Sequence, residues 1–98
     1  MAVSMKQQYR SELGIISEVL QVTMDCGVQG AIISSIARRA NLSHYTAMEK
    51  CQKLVELGLM ETFMDRKNRV FSITEKGIEL FHHMEKFLET IQEIKIRI

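Results

Sequence analysis

The chain contains no proline at all. Disordered tails and stiff linkers are commonly rich in it, so its absence argues against both. Long hydrophobic runs are missing too: none approaches the ~18 residues of a membrane-spanning helix. The first residues, Met1 to Lys6, lack the apolar centre of a secretory signal. A cytoplasmic location is therefore expected, with no membrane partner. Cysteine is scarce, limited to Cys26 and Cys51 with no CxxC spacing. In a reducing compartment both are expected to be small buried side chains. An excess of one charge is also lacking, since 13 Lys/Arg face 12 Asp/Glu for a net charge of +1.

What remains bounds the answer. Ninety-eight residues suffice for one small domain and leave no room for a second core. An apolar share of 46% and a charged share of 26% are those of a soluble globular chain. The near-zero net charge hides a pattern. Residues 31–70 carry seven Lys/Arg against four acids, while the segments on either side are slightly acidic. A polyanion, if one binds, would meet that middle segment.

The apolar spacing sets out a series of elements. Leu13, Ile16, Leu20 and Met24, with Tyr9 before them, predict a first helix from about Lys6 to Met24. Gly27 to Gly30 breaks it. In "AIISSIARRA", Ile32, Ile33, Ile36 and Ala37 predict a second helix, with Arg38 and Arg39 at the end where cations suit the helix dipole. Asn41 suits a left-handed helix end and Ser43 a following N-cap. A third helix is expected from His44 to Leu57, buried through Ala47, Met48, Cys51, Leu54 and Val55 and ended by Gly58. Two β-prone runs, Leu59–Met64 and Arg69–Ile73, flank a four-residue turn rich in Asp and Asn, which marks a hairpin. Thr74 then caps a last helix, with Glu75 in its first turn.

That last helix has a seam. Leu80, Met84, Phe87, Ile91, Ile94 and Ile98 are spaced as a heptad repeat, and Phe81 and Leu88 widen the stripe. Such a helix would run about 33 Å, longer than the small domain before it. Leaving Phe87, Leu88, Ile91 and Ile94 in water costs roughly 1.5–3 kcal/mol each. A symmetric homodimer through this helix is the simplest remedy. Folding back onto the first helix of the same chain is the alternative. The charges do not decide between parallel and antiparallel pairing.

Helix, helix, tight turn, helix, hairpin, long helix is the winged-helix order. The expected fold is mainly α with a small β-hairpin. Residues 1–74 form a winged helix-turn-helix domain, and residues 75–98 a continuous dimerisation helix with coiled-coil spacing. In this plan the third helix enters the major groove of double-stranded DNA with its N-terminal side chains on base edges. Here those are Ser43, His44, Tyr45 and Thr46, with Lys50 and Lys53 farther along. Arg66, Lys67 and Arg69 on the hairpin, and Arg38 and Arg39 before the turn, would meet phosphates. Tyr45 either faces DNA or packs on the core. Glu49 repels phosphate, so it either accepts from a cytosine amino group or is simply solvated.

Other chemistries fit less well. His82 and His83 are adjacent and point to different sides of a helix, so metal-ligand spacing is absent. Cys26 and His44 have no orienting acid or pocket for catalysis. No enzyme activity, metal, cofactor or small-molecule ligand is expected. Gly27-x-x-Gly30 has the spacing of the RNA-clamping loop of KH domains, but the elements around it are helical.

"ANLSHYTAMEKCQKLVELGLME" (40–61) and "FSITEKGIELF" (71–81) resemble the small archaeal winged-helix DNA-binding proteins, which include the Sulfolobus 10a-type chromatin proteins. The resemblance spans about residues 10 to 95. It implies dimerisation through a C-terminal antiparallel coiled coil. It also implies DNA binding, carried here by His44, Tyr45, Thr46, Lys50, Arg66, Lys67 and Arg69. One departure is the modest pI of about 7.8. A protein that coats DNA without regard to sequence relies on strong positive charge. The charge therefore favours a sequence-dependent transcriptional regulator at the nucleoid over an architectural protein. A winged helix used only for protein contact is the reading from a different class.

Overall fold

A computed structural model describes residues 11–97, with side chains through residue 94. Tyr9, Ile98 and the expected start of the first helix lie outside the described residues. Helix α1 runs Glu12–Cys26. Ser11 caps it, its hydroxyl accepting from the Gly14 amide at 2.9 Å. Its buried face is Val19, Leu20, Val22 and Thr23. Thr23 is a polar residue in the core. It stays satisfied by donating to the Val19 and Leu20 carbonyls, at 3.1 and 3.0 Å.

After α1 comes a 3-10 turn at Gly27–Gln29, and then a correction. Ile32, expected on the apolar side of the second helix, lies outside it. Ala31–Ile32 forms a short strand, β1, opposite Phe71 and Val70. Gly30 makes the approach feasible: its φ is 74°, and a Cβ there would lie 2.6 Å from the Phe71 carbonyl oxygen. Helix α2 follows at Ile33–Arg39.

The helix-turn-helix corner closes as the sequence predicts. Asn41 has φ 57°. The Leu42 amide donates to the Ala37 carbonyl at 2.8 Å and the Asn41 amide to Arg38 at 3.3 Å, a Schellman motif. Ser43 then caps α3, His44–Glu56, accepting from the Thr46 amide at 3.1 Å. The far end of α3 repeats the device. Gly58 has φ 78°, its amide donates to Val55 at 3.0 Å, and the Leu59 amide donates to Leu54 at 2.9 Å.

Strands β2 (Met60–Asp65) and β3 (Asn68–Ile73) form the hairpin. Asp65 pairs with Asn68, so the turn is the two residues Arg66–Lys67 and not the four expected. Arg66 alone of the two has positive φ, 62°, the sign pattern of a II′ turn. The sheet has three antiparallel strands in the order β1-β3-β2.

Thr74 accepts from the Gly77 amide at 3.1 Å and opens α4, Glu75–Arg97. One core joins every layer: Val19 and Leu20 of α1, Ile36 of α2, Cys51 and Leu54 of α3, Met60 and Phe71 of the sheet, Phe81 and Met84 of α4. Here lies a second correction. Met84, expected in the dimer seam, is 5% exposed within its own chain, and Leu80 packs against the same core. The first half of α4 does fold back onto α1, because its stripe completes the small domain's core. Phe87, Leu88, Ile91 and Ile94 remain 38–54% exposed.

Candidate nucleic-acid interface

Burying Ala47, Cys51 and Leu54 fixes which side of α3 is open. With 3.6 residues per turn, Tyr45, Glu49, Gln52, Lys53 and Glu56 must point away from the core, and all five are exposed. Tyr45 is 75% exposed, so it faces outward and leaves the core to others. His44 is exposed in the first turn. Ser43 and Thr46 are tied to each other, the Ser43 hydroxyl donating to the Thr46 hydroxyl at 2.9 Å while also capping the helix.

Lys50 departs from expectation. Its ammonium donates to both carboxylate oxygens of Glu12, at 2.9 and 2.7 Å, and its side chain is only 16% exposed. Position 50 sits at the edge of the open face nearest α1, where an acid in the first turn of α1 captures it. The pair ties the start of α1 to the middle of α3. Arg39 is also engaged: it donates to the Cys26 sulfur at 3.3 Å and lies 3.6 Å from the Asp25 carboxylate. Arg38 is exposed on α2.

The wing carries its cations as the sequence predicts. Arg66 and Lys67 form the turn itself and are exposed. Arg69, one step down β3, donates to the Thr62 hydroxyl at 3.3 Å, and that hydroxyl in turn donates to the Val70 carbonyl at 3.0 Å. Between the wing and the second half of α3 lies a cleft of about 450 Å³. Gln52, Val55 and Glu56 line one side, and Thr62, Arg69 and Phe71 the other. Helix α3 and the wing thus border one concave surface, with Arg69 on the wing side and Glu56 on the helix side. Glu49 lies about two turns before Glu56 on the same exposed face.

Sequence reasoning missed Gln52 and Thr62. Gln52 was legible, since it lies seven residues after Tyr45 and three after Glu49 on one helix face. Thr62 was not, because its role depends on the register that sets it across from Phe71 and beside Arg69. Among the described residues no group of His, Cys, Asp and Glu is arranged to hold a metal ion. No described helix is long and apolar enough to cross a membrane.

Comparison with known proteins gives the same architecture. The sequence profile of the winged helix-turn-helix family matches residues 9–92. No curated protein matches the chain. Among solved structures, Sso10a-2, a DNA-binding protein from Sulfolobus solfataricus, superposes with a TM-score of 0.79 at 20% identity, covering 90% of this chain and 88% of that one. MepR, a transcription regulator of the Staphylococcus aureus multidrug efflux pump MepA, gives 0.74 at 14% identity, covering 96% and 69%. PcaV, a transcriptional regulator from Streptomyces coelicolor, gives 0.77 at 15%, covering 94% and 67%.

Proposed function

The chain belongs to the winged helix-turn-helix family, and from that premise we propose that it binds double-stranded DNA as a homodimer and acts as a transcriptional regulator in the cytoplasm, without catalysis. The observation that carries this reading is the exposed cationic wing, with Arg66 and Lys67 at its tip and Arg69 lining a cleft shared with the second half of α3. The wing supplies charge to phosphates, and the N-terminal half of α3, from His44 to Glu49, addresses base edges. Arg38 adds a phosphate contact on the far side of the corner. The exposed apolar residues Phe87, Leu88, Ile91 and Ile94 take a second copy of α4, which would present two such surfaces to one duplex. The described neighbours include a DNA-binding protein and transcription regulators, which supports the same class of partner.

Gel-shift titration at two salt concentrations tests it. Retardation should weaken steeply with salt, and replacing Arg66, Lys67 and Arg69 by Ala should lower the log–log slope by roughly two to three. Unchanged affinity in that variant would remove the wing from the interface. A second reading, docking of another protein on α3, is favoured by the two carboxylates on the open face of that helix. It gains if micromolar protein at low salt retards no DNA.

A further inference from the structure

The charge on α3 is unusual for a helix that enters the groove of a polyanion. Tyr45, Glu49, Gln52 and Glu56 succeed one another at spacings of 4, 3 and 4, so they form one stripe down the middle of the open face. Lys50 is withdrawn onto Glu12, which leaves Lys53 as the one lysine of α3 on that face. Glu49 occupies the middle of this stripe, in the half of the helix that approaches base edges. Its carboxylate makes no hydrogen bond or ion pair with any described residue. A Glu at i and a Lys at i+4 are well placed to pair on a helix, yet Glu49 and Lys53 do not.

An unpaired carboxylate held near phosphates is repelled by them. At physiological salt such repulsion extends about 8 Å, so a carboxylate in the middle of a major groove about 12 Å wide still feels the phosphates on both walls. A carboxylate is an acceptor with no proton to give. In the major groove it gains only from an exocyclic amino group. Adenine sets its N7 acceptor beside its amino group, and that repels a second acceptor. Cytosine offers its N4 amino group without that neighbour. Gln52, one turn on, has both a donor and acceptors, the pattern that matches adenine.

Resting on the DNA-binding reading above, we propose that Glu49 determines specificity, its carboxylate accepting a hydrogen bond from the N4 amino group of a cytosine in the major groove. The residue turns a local repulsion into discrimination: sequences without an amino group at that position meet the repulsion uncompensated. It also accounts for a DNA-binding surface whose charge is carried by the wing while its reading helix is nearly neutral.

The test selects duplexes from a random pool with the full chain, with Glu49→Gln and with Glu49→Ala, and then titrates the winning site and its single-base changes. The wild-type chain should require cytosine at one position of the site, with roughly tenfold weaker binding when it is replaced. Glu49→Gln should move that preference to adenine. Glu49→Ala should lose it and bind unrelated DNA more tightly. Identical base preferences in all three proteins, with both variants binding every duplex more tightly by one common factor, would overturn the proposal and leave DNA binding intact. Failure of the wild-type chain to retain any duplex would overturn both. Position 49 is exposed, so thermal midpoints should match and separate loss of reading from loss of fold.

Discussion

The first half of α4 and its second half carry the same apolar repeat and meet different surroundings. Leu80, Phe81 and Met84 pack into the core beside Leu20, Leu54 and Met60. Phe87, Leu88, Ile91 and Ile94 continue the stripe past the end of that core and stay open to solvent. A heptad spacing says that a helix face will be covered and leaves open what covers it. Helix α1 does not set the point of change, since its Ser17 and Gln21 line one groove with Phe81, Leu88 and Gln92 of α4. The change falls after Met84, the last α4 residue in the buried core. The difference makes α4 both a structural member of the domain and a candidate handle for a partner, and substitutions along it should separate the two roles.

The largest effect belongs to the first half. Phe81→Ala removes an aromatic side chain from the junction of α4 with the core, and should destabilise folding by about 3–5 kcal/mol in urea unfolding. That is a large part of the ~5–15 kcal/mol that holds a domain together. Gly77→Ala should come next. A Cβ at position 77 would fall 2.1 Å from the Leu59 carbonyl oxygen and 2.7 Å from Ile73 Cγ1. Backbone on one side cannot yield freely, so a loss of about 1–3 kcal/mol is expected. Wild-type stability for either variant would mean that the first half of α4 is not bound to the core as described.

The legible parts of this fold were those governed by neighbours in sequence. Asn41 and Gly58 as left-handed helix ends, and Ser43 and Thr74 as caps, follow from residues within four positions of each other. The buried stripe of α3 follows from one helix period. Strand β1 escaped notice because Ala31 and Ile32 become a strand only when β3, about forty residues later, runs alongside. The Glu12–Lys50 pair spans 38 residues, so no local pattern announces it. Its consequence for the candidate site is direct: a lysine counted toward DNA is held by a carboxylate. The wing's cations were legible by position, but the hairpin register that sets Arg69 beside Thr62 was not. The halves of α4 were indistinguishable because one apolar spacing runs through both, and only the packed fold shows that the buried core stops at Met84.

A smaller effect, confined to pH, reports on the core that the first half of α4 completes. Cys51 is fully buried on α3, and burial pushes its thiol up to about 12 from an ordinary 9.0. The folded state therefore holds this proton more tightly than the unfolded chain does. The resulting stability is fully present below pH 9 and is lost as pH rises from there toward 12, by at most about 1.4 kcal/mol per pH unit. Cys51→Ala leaves a small cavity, so at pH 8 the variant should be less stable by about 1 kcal/mol. Urea unfolding at pH 10 should show the gap closed or slightly reversed, since only the wild-type chain loses this term, about 1.4 kcal/mol one unit above 9.0. A gap constant between pH 8 and pH 10 would mean that the thiol meets water.

The second half of α4 should give the smallest change in the folding of one chain and a clear change in assembly. Phe87→Glu with Ile91→Glu alters side chains that are 54% and 40% exposed, so the stability of an isolated copy should move by no more than about 0.5 kcal/mol. In a dimer the same two positions would be desolvated, and two carboxylates there would be repelled by their counterparts. The wild-type unfolding midpoint should then rise with protein concentration, because association draws on the folded state alone. The variant's midpoint should not move, and light scattering should give the mass of one chain. A variant that stays dimeric would put the contact elsewhere. A loss of several kcal/mol in the variant at every concentration would show that the second half belongs to the domain's own core, and the contrast between the halves would disappear.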